Sequence, residues 1–219
     1  MKTISPELLL ISSIAIGLVP LLIAVGTCYL KFSIVLSLLR SGFGTQQAPS
    51  TAMVTALSVV MSLVVMQPVI SKTTDSLTRL SVSDLSTEPV GVLMQRAHGI
   101  AGPWRDFLVQ HCGERELSAF TSWENRGSPH TEIAVDRTKV SVITALAAFV
   151  LSEIKRGFTL GFFLLIPFFV IDLVVANLLV AMGLTMMSPV IVSLPIKLLL
   201  FVSSDGWLML AQNLMKAYQ

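Results

Sequence analysis

The sequence is short of charge. Only 13% of its 219 residues are Asp, Glu, Lys or Arg, against 53% hydrophobic residues and a mean hydropathy of +0.79. A soluble domain carries charge on roughly a quarter of its residues. Folded alone in water, this chain would expose apolar patches that soluble proteins avoid, so a bilayer is its simplest solvent. Excess positive charge is also missing: 15 Lys and Arg face 13 Asp and Glu, a net +2. The basic residues are spread along the chain with no stripe, which gives no footing for nucleic acid. Cysteine is confined to Cys28 and Cys112, and nothing in the sequence brings these two thiols together as a disulfide framework. Cys112 with His98, His111 and His130 matches no metal-ligand spacing, so no metal is expected. No Gly-x-Ser-x-Gly, phosphate-binding glycine loop or metal-binding His pair occurs, and Asp172 has no second aspartate in an apolar run. Neither a catalytic residue nor a cofactor is expected.

What is present is apolar length. The run Leu8–Leu30 is long enough to cross a ~30 Å hydrocarbon core, which takes about 20 helical residues. Gly17, Pro20 and Gly26 within it are tolerated where neighbouring helices cover the backbone. Lys2 before this run and Glu7 in its flank, without a small-x-small cleavage site, favour a retained segment over a signal peptide. A connector, Lys31–Pro49, follows. Phe32–Leu39 continues the helix, and Ser41–Pro49 reads as a turn. The second run is Ala52–Ile70. Together these form an expected amino-terminal pair of apolar helices over 1–70.

Residues 71–139 differ in kind, with eight basic residues, nine acids and all three histidines. Thr87-Glu88-Pro89 is a helix start, and Gly102-Pro103 is expected to end that helix and begin another. Trp104, Phe107, Leu108 and His111, then Leu117, Phe120 and Trp123, recur at helical spacing and read as packing faces. Glu124–Arg137 reads as a loop. The last part, 140–219, is apolar again. Val140–Leu151 is too short to span alone, Ser152–Arg156 is a charged interval, Phe158–Met182 is a full span, and Leu184–Val202 is a last one holding Pro189 and Pro195. The fold expected is all-α: an integral membrane protein of about four long apolar helices, some broken by proline. A helical polar insertion separates the second from the third. Lys31 and Arg40 mark their connector as cytoplasmic, which puts the polar insertion outside the cytoplasm.

Asp172 and Lys197 stand in apolar runs, where a charge costs at least about 2.5–3.5 kcal/mol. Either they are paired or bundle-facing, or they line a hydrophilic path. Broken backbone at Pro189 and Pro195 is tolerated only under protein cover or along a cavity. Both features describe a subunit of something larger. A translocation-pore subunit, a small secondary transporter and a membrane enzyme all fit so far, although a transporter would ordinarily show two similar halves.

The stretch Ile166-Pro167-Phe168-Phe169-Val170-Ile171-Asp172-Leu173-Val174-Val175-Ala176-Asn177 resembles the signature of the FliP/SctR family of type III secretion export apparatus proteins. The likeness continues through Met182-Gly183, Met186-Met187-Ser188-Pro189, Ser193-Leu194-Pro195-Ile196-Lys197 and Asp205-Gly206-Trp207. Upstream it takes in Gly26-Thr27, Lys31, Arg40, Gln46-Gln47-Ala48-Pro49, Ser152-Glu153-Ile154-Lys155, and Pro103 with Arg105–Leu108. It covers nearly the whole chain.

The resemblance implies a bacterial inner-membrane protein with no covalent chemistry of its own, assembled as a pentamer. Its implied partners are two small membrane subunits (SctS/FliQ-like and SctT/FliR-like), larger export-gate subunits, membrane lipid, and unfolded proteins in transit. It further implies that export is driven by an associated ATPase and the proton gradient, and that the assembled gate lies largely above the bilayer plane. Relatives carry a run of methionines that seals the pore. Here the corresponding stretch is Leu184-Thr185-Met186-Met187, in which Thr185 departs from the pattern. Methionine suits a gasket because it is unbranched and adaptable. Asp172, Asn177, Lys197, Glu153 and Lys155 are the candidate intramembrane polar and assembly residues, and Arg40, Gln46, Gln47 and Pro49 the candidate connector. Met187-Ser188-Pro189, Pro195-Ile196-Lys197 and Gly26–Phe32 lean to the virulence (injectisome) branch.

Overall fold

A computed structural model describes residues 13, 17, 24–44, 49–78, 90–124, 137 and 140–218. Among the described residues the chain is helical and has no strand: α1 Tyr29–Gly42, α2 Thr51–Thr78, α3 Val90–His111, α4 Glu114–Glu124, α5 Val142–Ala181, α6 Pro189–Ser203 and α7 Gly206–Lys216. The chain divides into two compact units. One comprises Met1–Leu30 and Pro68–Ser152, the other Lys31–Gln67 and Glu153–Gln219.

Two helices are long and apolar enough to cross a membrane, Thr51–Ser76 within α2 and the whole of α5; α6 and α7 together make a third candidate bent by 62°. Most of the expected first span, Leu8–Leu30, falls outside the described residues, which take in only 13, 17 and 24–30 of it, as does most of the expected loop Glu124–Arg137. Four long apolar helices are therefore not what the described residues contain.

Several expected boundaries are corrected. The charged interval Ser152–Arg156 does not interrupt α5, which runs unbroken for 40 residues, about 60 Å at the helical rise. Glu, Lys and Arg are strong helix formers, so hydropathy drops there while helix propensity does not. Gly102-Pro103 does not divide α3 either. Directly after the proline, Trp104 Nε1 donates to Gly26 O at 2.8 Å and Arg105 Nε to Val140 O at 3.0 Å. Such tertiary anchors outweigh the one hydrogen bond that proline removes. The last apolar run is helical only from Pro189, and its helix ends at Ser203, short of a span.

In the first unit, α3, α4 and the start of α5 enclose Phe107, Leu108, Cys112, Leu117, Ala145, Ala148 and Phe149, all buried. Ser152 Oγ accepts from Gly113 N–H at 2.7 Å, closing the α3–α4 corner. Thr144 donates to Glu124 at 2.7 Å. Both cysteines are buried thiols. His111 Nδ1 bonds the Phe107 carbonyl one turn back at 2.9 Å, and its ring packs on that of Phe107. Among the described residues no group of three His, Cys, Asp or Glu is placed to hold a metal; the His98 side chain and His130 lie outside them.

The second unit carries the candidate site. Here α1 and α5 run parallel: Gly157 lies against Lys31 and Ile34, Gly161 against Leu38, and Gly42 against Leu165 and Phe168. The fit has no room for side chains at the glycines. A Cβ on Gly161 would stand 2.3 Å from Leu38 Cδ1, the close approach that small-x-x-x-small spacing permits. Leu36, Leu39, Phe43, Val54, Phe168 and Phe201 form the buried core, with Phe43 stacked against Phe168 at 5.0 Å and edge-on to Phe201 at 5.4 Å.

Candidate functional site

The segment between α5 and α6 is shaped by glycine. Gly183 has φ +75°, a left-handed conformation that favours glycine. Gly183 N–H bonds Val180 O at 3.0 Å, and Leu184 N–H bonds Leu179 O at 2.9 Å. These two bonds are the paired closure of a Schellman motif, which stops α5 and turns the chain away from its axis. A second turn, Met187 N–H to Leu184 O, leads into α6. Ser188 takes the N-cap position and Pro189 the first helical one, where its missing N–H costs nothing. Met182, Gly183, Leu184, Thr185, Met186, Met187 and Ser188 are all exposed, and Met186 is 99% so.

Behind this loop its two helices are tied by charge. Lys197 Nζ lies 2.6 Å from Asp172 Oδ2 and donates to Gly42 O at 2.8 Å. Ser193 donates to the other carboxylate oxygen, Oδ1, at 2.5 Å. Lys197 is buried, while the Asp172 side chain remains 28% exposed. One ammonium thus answers both the α5 carboxylate and an orphan carbonyl at the end of α1. Asp172 and Lys197 pair with each other. Ser193 was not among the expected site residues. Its signal was its position one turn before Lys197 on the same face of an otherwise apolar segment.

The connector comes close to the loop. Gly44, at φ +78°, lies so near Val190 that a Cβ on it would meet Val190 Cγ1 at 2.4 Å. Arg40 donates to Thr51 Oγ1 at 2.5 Å, tying α1 to the start of α2. Pro49 is half-buried at the end of the turn; Gln46 and Gln47 lie outside the described residues. Among the other candidates, Asn177 and Lys155 are exposed, whereas Glu153 is fully buried against Lys31. Lys31 therefore sits inside α1 with its charge covered, and the cytoplasmic assignment of the connector loses one of its two charges.

Residues 12–214 match the FliP family. The chain belongs to the FliP family. Its relatives include the Yop proteins translocation protein R of Yersinia pestis, 41% identical over 92% of this chain and 91% of that one. The surface presentation of antigens protein SpaP of Salmonella typhimurium is 37% identical with the same coverage. The flagellar biosynthetic protein FliP of Cereibacter sphaeroides is 36% identical over 93% of this chain and 64% of that longer one. Within a FliP family chain, the loop from Gly183 to Ser188 and the ion pair behind it are the features that combine exposed apolar side chains with a built electrostatic support.

Proposed function

We propose that this chain is a core subunit of a type III secretion export gate in the bacterial inner membrane, where it lines the path of unfolded proteins and catalyses no covalent step. The observation that carries the reading is the loop Leu184–Met187. Its side chains are exposed, Met186 fully so, on a Schellman-capped turn, and the hairpin holding it is clamped by Asp172, Ser193 and Lys197. Flexible apolar side chains on a rigid mount suit a constriction that must close without a substrate and yield to one. In this reading Leu184, Met186 and Met187 form the seal, and Thr185 loosens it.

The gate is a homo-oligomer, a pentamer by family resemblance, completed by SctS/FliQ-like and SctT/FliR-like small membrane subunits and by larger export-gate subunits. Asn177 and the exposed apolar face of α5 supply its assembly surface. In this reading 1–70 and 140–219 are its apolar parts, and 71–139 is a polar domain outside the cytoplasm. Arg40, Gln46, Gln47 and Pro49 belong to the connector between its first apolar segments. The injectisome branch is favoured by the identity to the Yersinia protein.

The test is the mass of the intact complex in mild detergent, with and without the two small subunits. A discrete oligomer of this chain that gains mass with them supports the reading. A stable monomer indifferent to them refutes it and returns the weight to a small transporter.

A further inference from the structure

Lys31 of α1 and Glu153 of α5 face each other with both side chains fully buried, Nζ 3.7 Å from Oε2. Such a pair is stable only when other groups satisfy each charge, because desolvation otherwise exceeds the Coulomb gain. One residue contacts both. The Tyr218 hydroxyl donates to Glu153 Oε2, and its ring lies beneath Lys31 Nζ, 3.7 Å from the centroid. Phe32 meets the same ring edge-on at 5.9 Å. Arg156 stands 3.5 Å from the second oxygen of Glu153. Tyr218 follows α7 directly, so the far end of α7 is docked on a charge site as well as on Phe32.

The near end of α7 is built differently. Asp205, between α6 and α7, has φ +54°, a left-handed conformation that is strained for a residue with a side chain, and its carboxylate caps neither helix. The two helices bend here by 62°. Below the bend is a cavity of about 170 Å³ between α5, α6 and α7, lined by Pro167, Phe168, Phe201, Met209, Leu210 and Asn213 among others. Gly206 packs closely on Phe201 at the bend, so α7 pivots on a glycine contact and is pinned at its tip.

We infer that α7 is a lever hinged at Asp205 and latched by Tyr218 onto the buried Lys31–Glu153 pair. The latch acts through charge. When Tyr218 leaves, both buried ions lose a partner and water must enter, so the docked and undocked arrangements are separate states with no gradual path between them. This inference does not depend on the export-gate reading.

Hydrogen exchange read by mass spectrometry, on the full chain in the complex in which it is extracted from the membrane, tests it. Tyr218→Ala is expected to speed exchange across Gly206–Lys216 roughly tenfold or more, the scale of one hydrogen bond to a charged group. The rise stops at Ser204. Tyr218→Phe, which keeps the ring and loses the hydroxyl, falls between. In a Lys31→Met/Glu153→Leu chain the same substitutions change little. Unchanged exchange in α7, or an equal rise with the charges removed, overturns the latch; a rise spreading equally through α6 overturns the hinge. If the alanine variant cannot be recovered, Tyr218→Phe is compared in the two backgrounds: an effect confined to the charged one supports the inference, and equal effects overturn it.

Discussion

The ammonium of Lys197 lies 2.6 Å from Asp172 Oδ2, joining the two helices that flank the loop, and it also ends α1 by binding Gly42 O. Removing one member of a buried pair leaves the other uncompensated, which is worse than removing both. Lys197→Met or Asp172→Leu alone is therefore expected to destabilise by roughly 2–4 kcal/mol, reduced from the fully buried case because Asp172 keeps some solvent. The double variant should recover much of that loss. Thermal unfolding of the purified chain, single against double variants, measures it; a double variant as unstable as the sum of the singles would contradict the pairing.

At Gly183 the left-handed φ is the constraint. Gly183→Val should cost about 1–2 kcal/mol in backbone strain, and Gly183→Asn less, since asparagine visits that region more readily. Secretion assays run beside unfolding curves would show the order Gly, Asn, Val in both.

Gly161 tests the helix contact. Gly161→Leu drives a side chain into Leu38 and is expected to cost about 1–3 kcal/mol by overpacking. Adding Leu38→Ala should relieve part of that loss, because the new bulk then has somewhere to go. Midpoints that are identical with and without the second substitution would show that the two helices do not meet at this point.

The proposed constriction makes an opposite pair of predictions. Met186→Ala with Met187→Ala should raise ion leak through the assembled gate while lowering secretion little, since the seal is lost and the path is not. Thr185→Met should reduce leak by restoring apolar bulk. Conductance in membranes carrying the assembled complex decides both, and unchanged leak in the double alanine variant removes the loop from the pore.

The sequence was readable where one residue announced its own cost. Asp172 and Lys197 stood out because nothing else in their apolar runs could be charged cheaply, and Gly183 and Pro189 punctuated the loop between them. Boundaries read from hydropathy failed where charge and helix propensity part ways. Lys31 looked like the end of an apolar run and a marker of sidedness, because its partner Glu153 is more than a hundred residues away. Glu153 and Lys155 were grouped together, yet two residues on a helix point to opposite sides: one is buried and the other exposed. Tyr218 gave no signal, since a lone tyrosine after a short amphipathic helix has no pattern to belong to.

Because α1 and α5 are parallel neighbours, the second unit is sorted by chemistry along their common direction. The turn after Gly42 and the loop after Met182 lie toward the same end of that pair. Lys31, Glu153 and Tyr218 stay toward the other. Of the unit's two charged clasps, one thus stands behind the mouth of the loop and the other at its opposite pole.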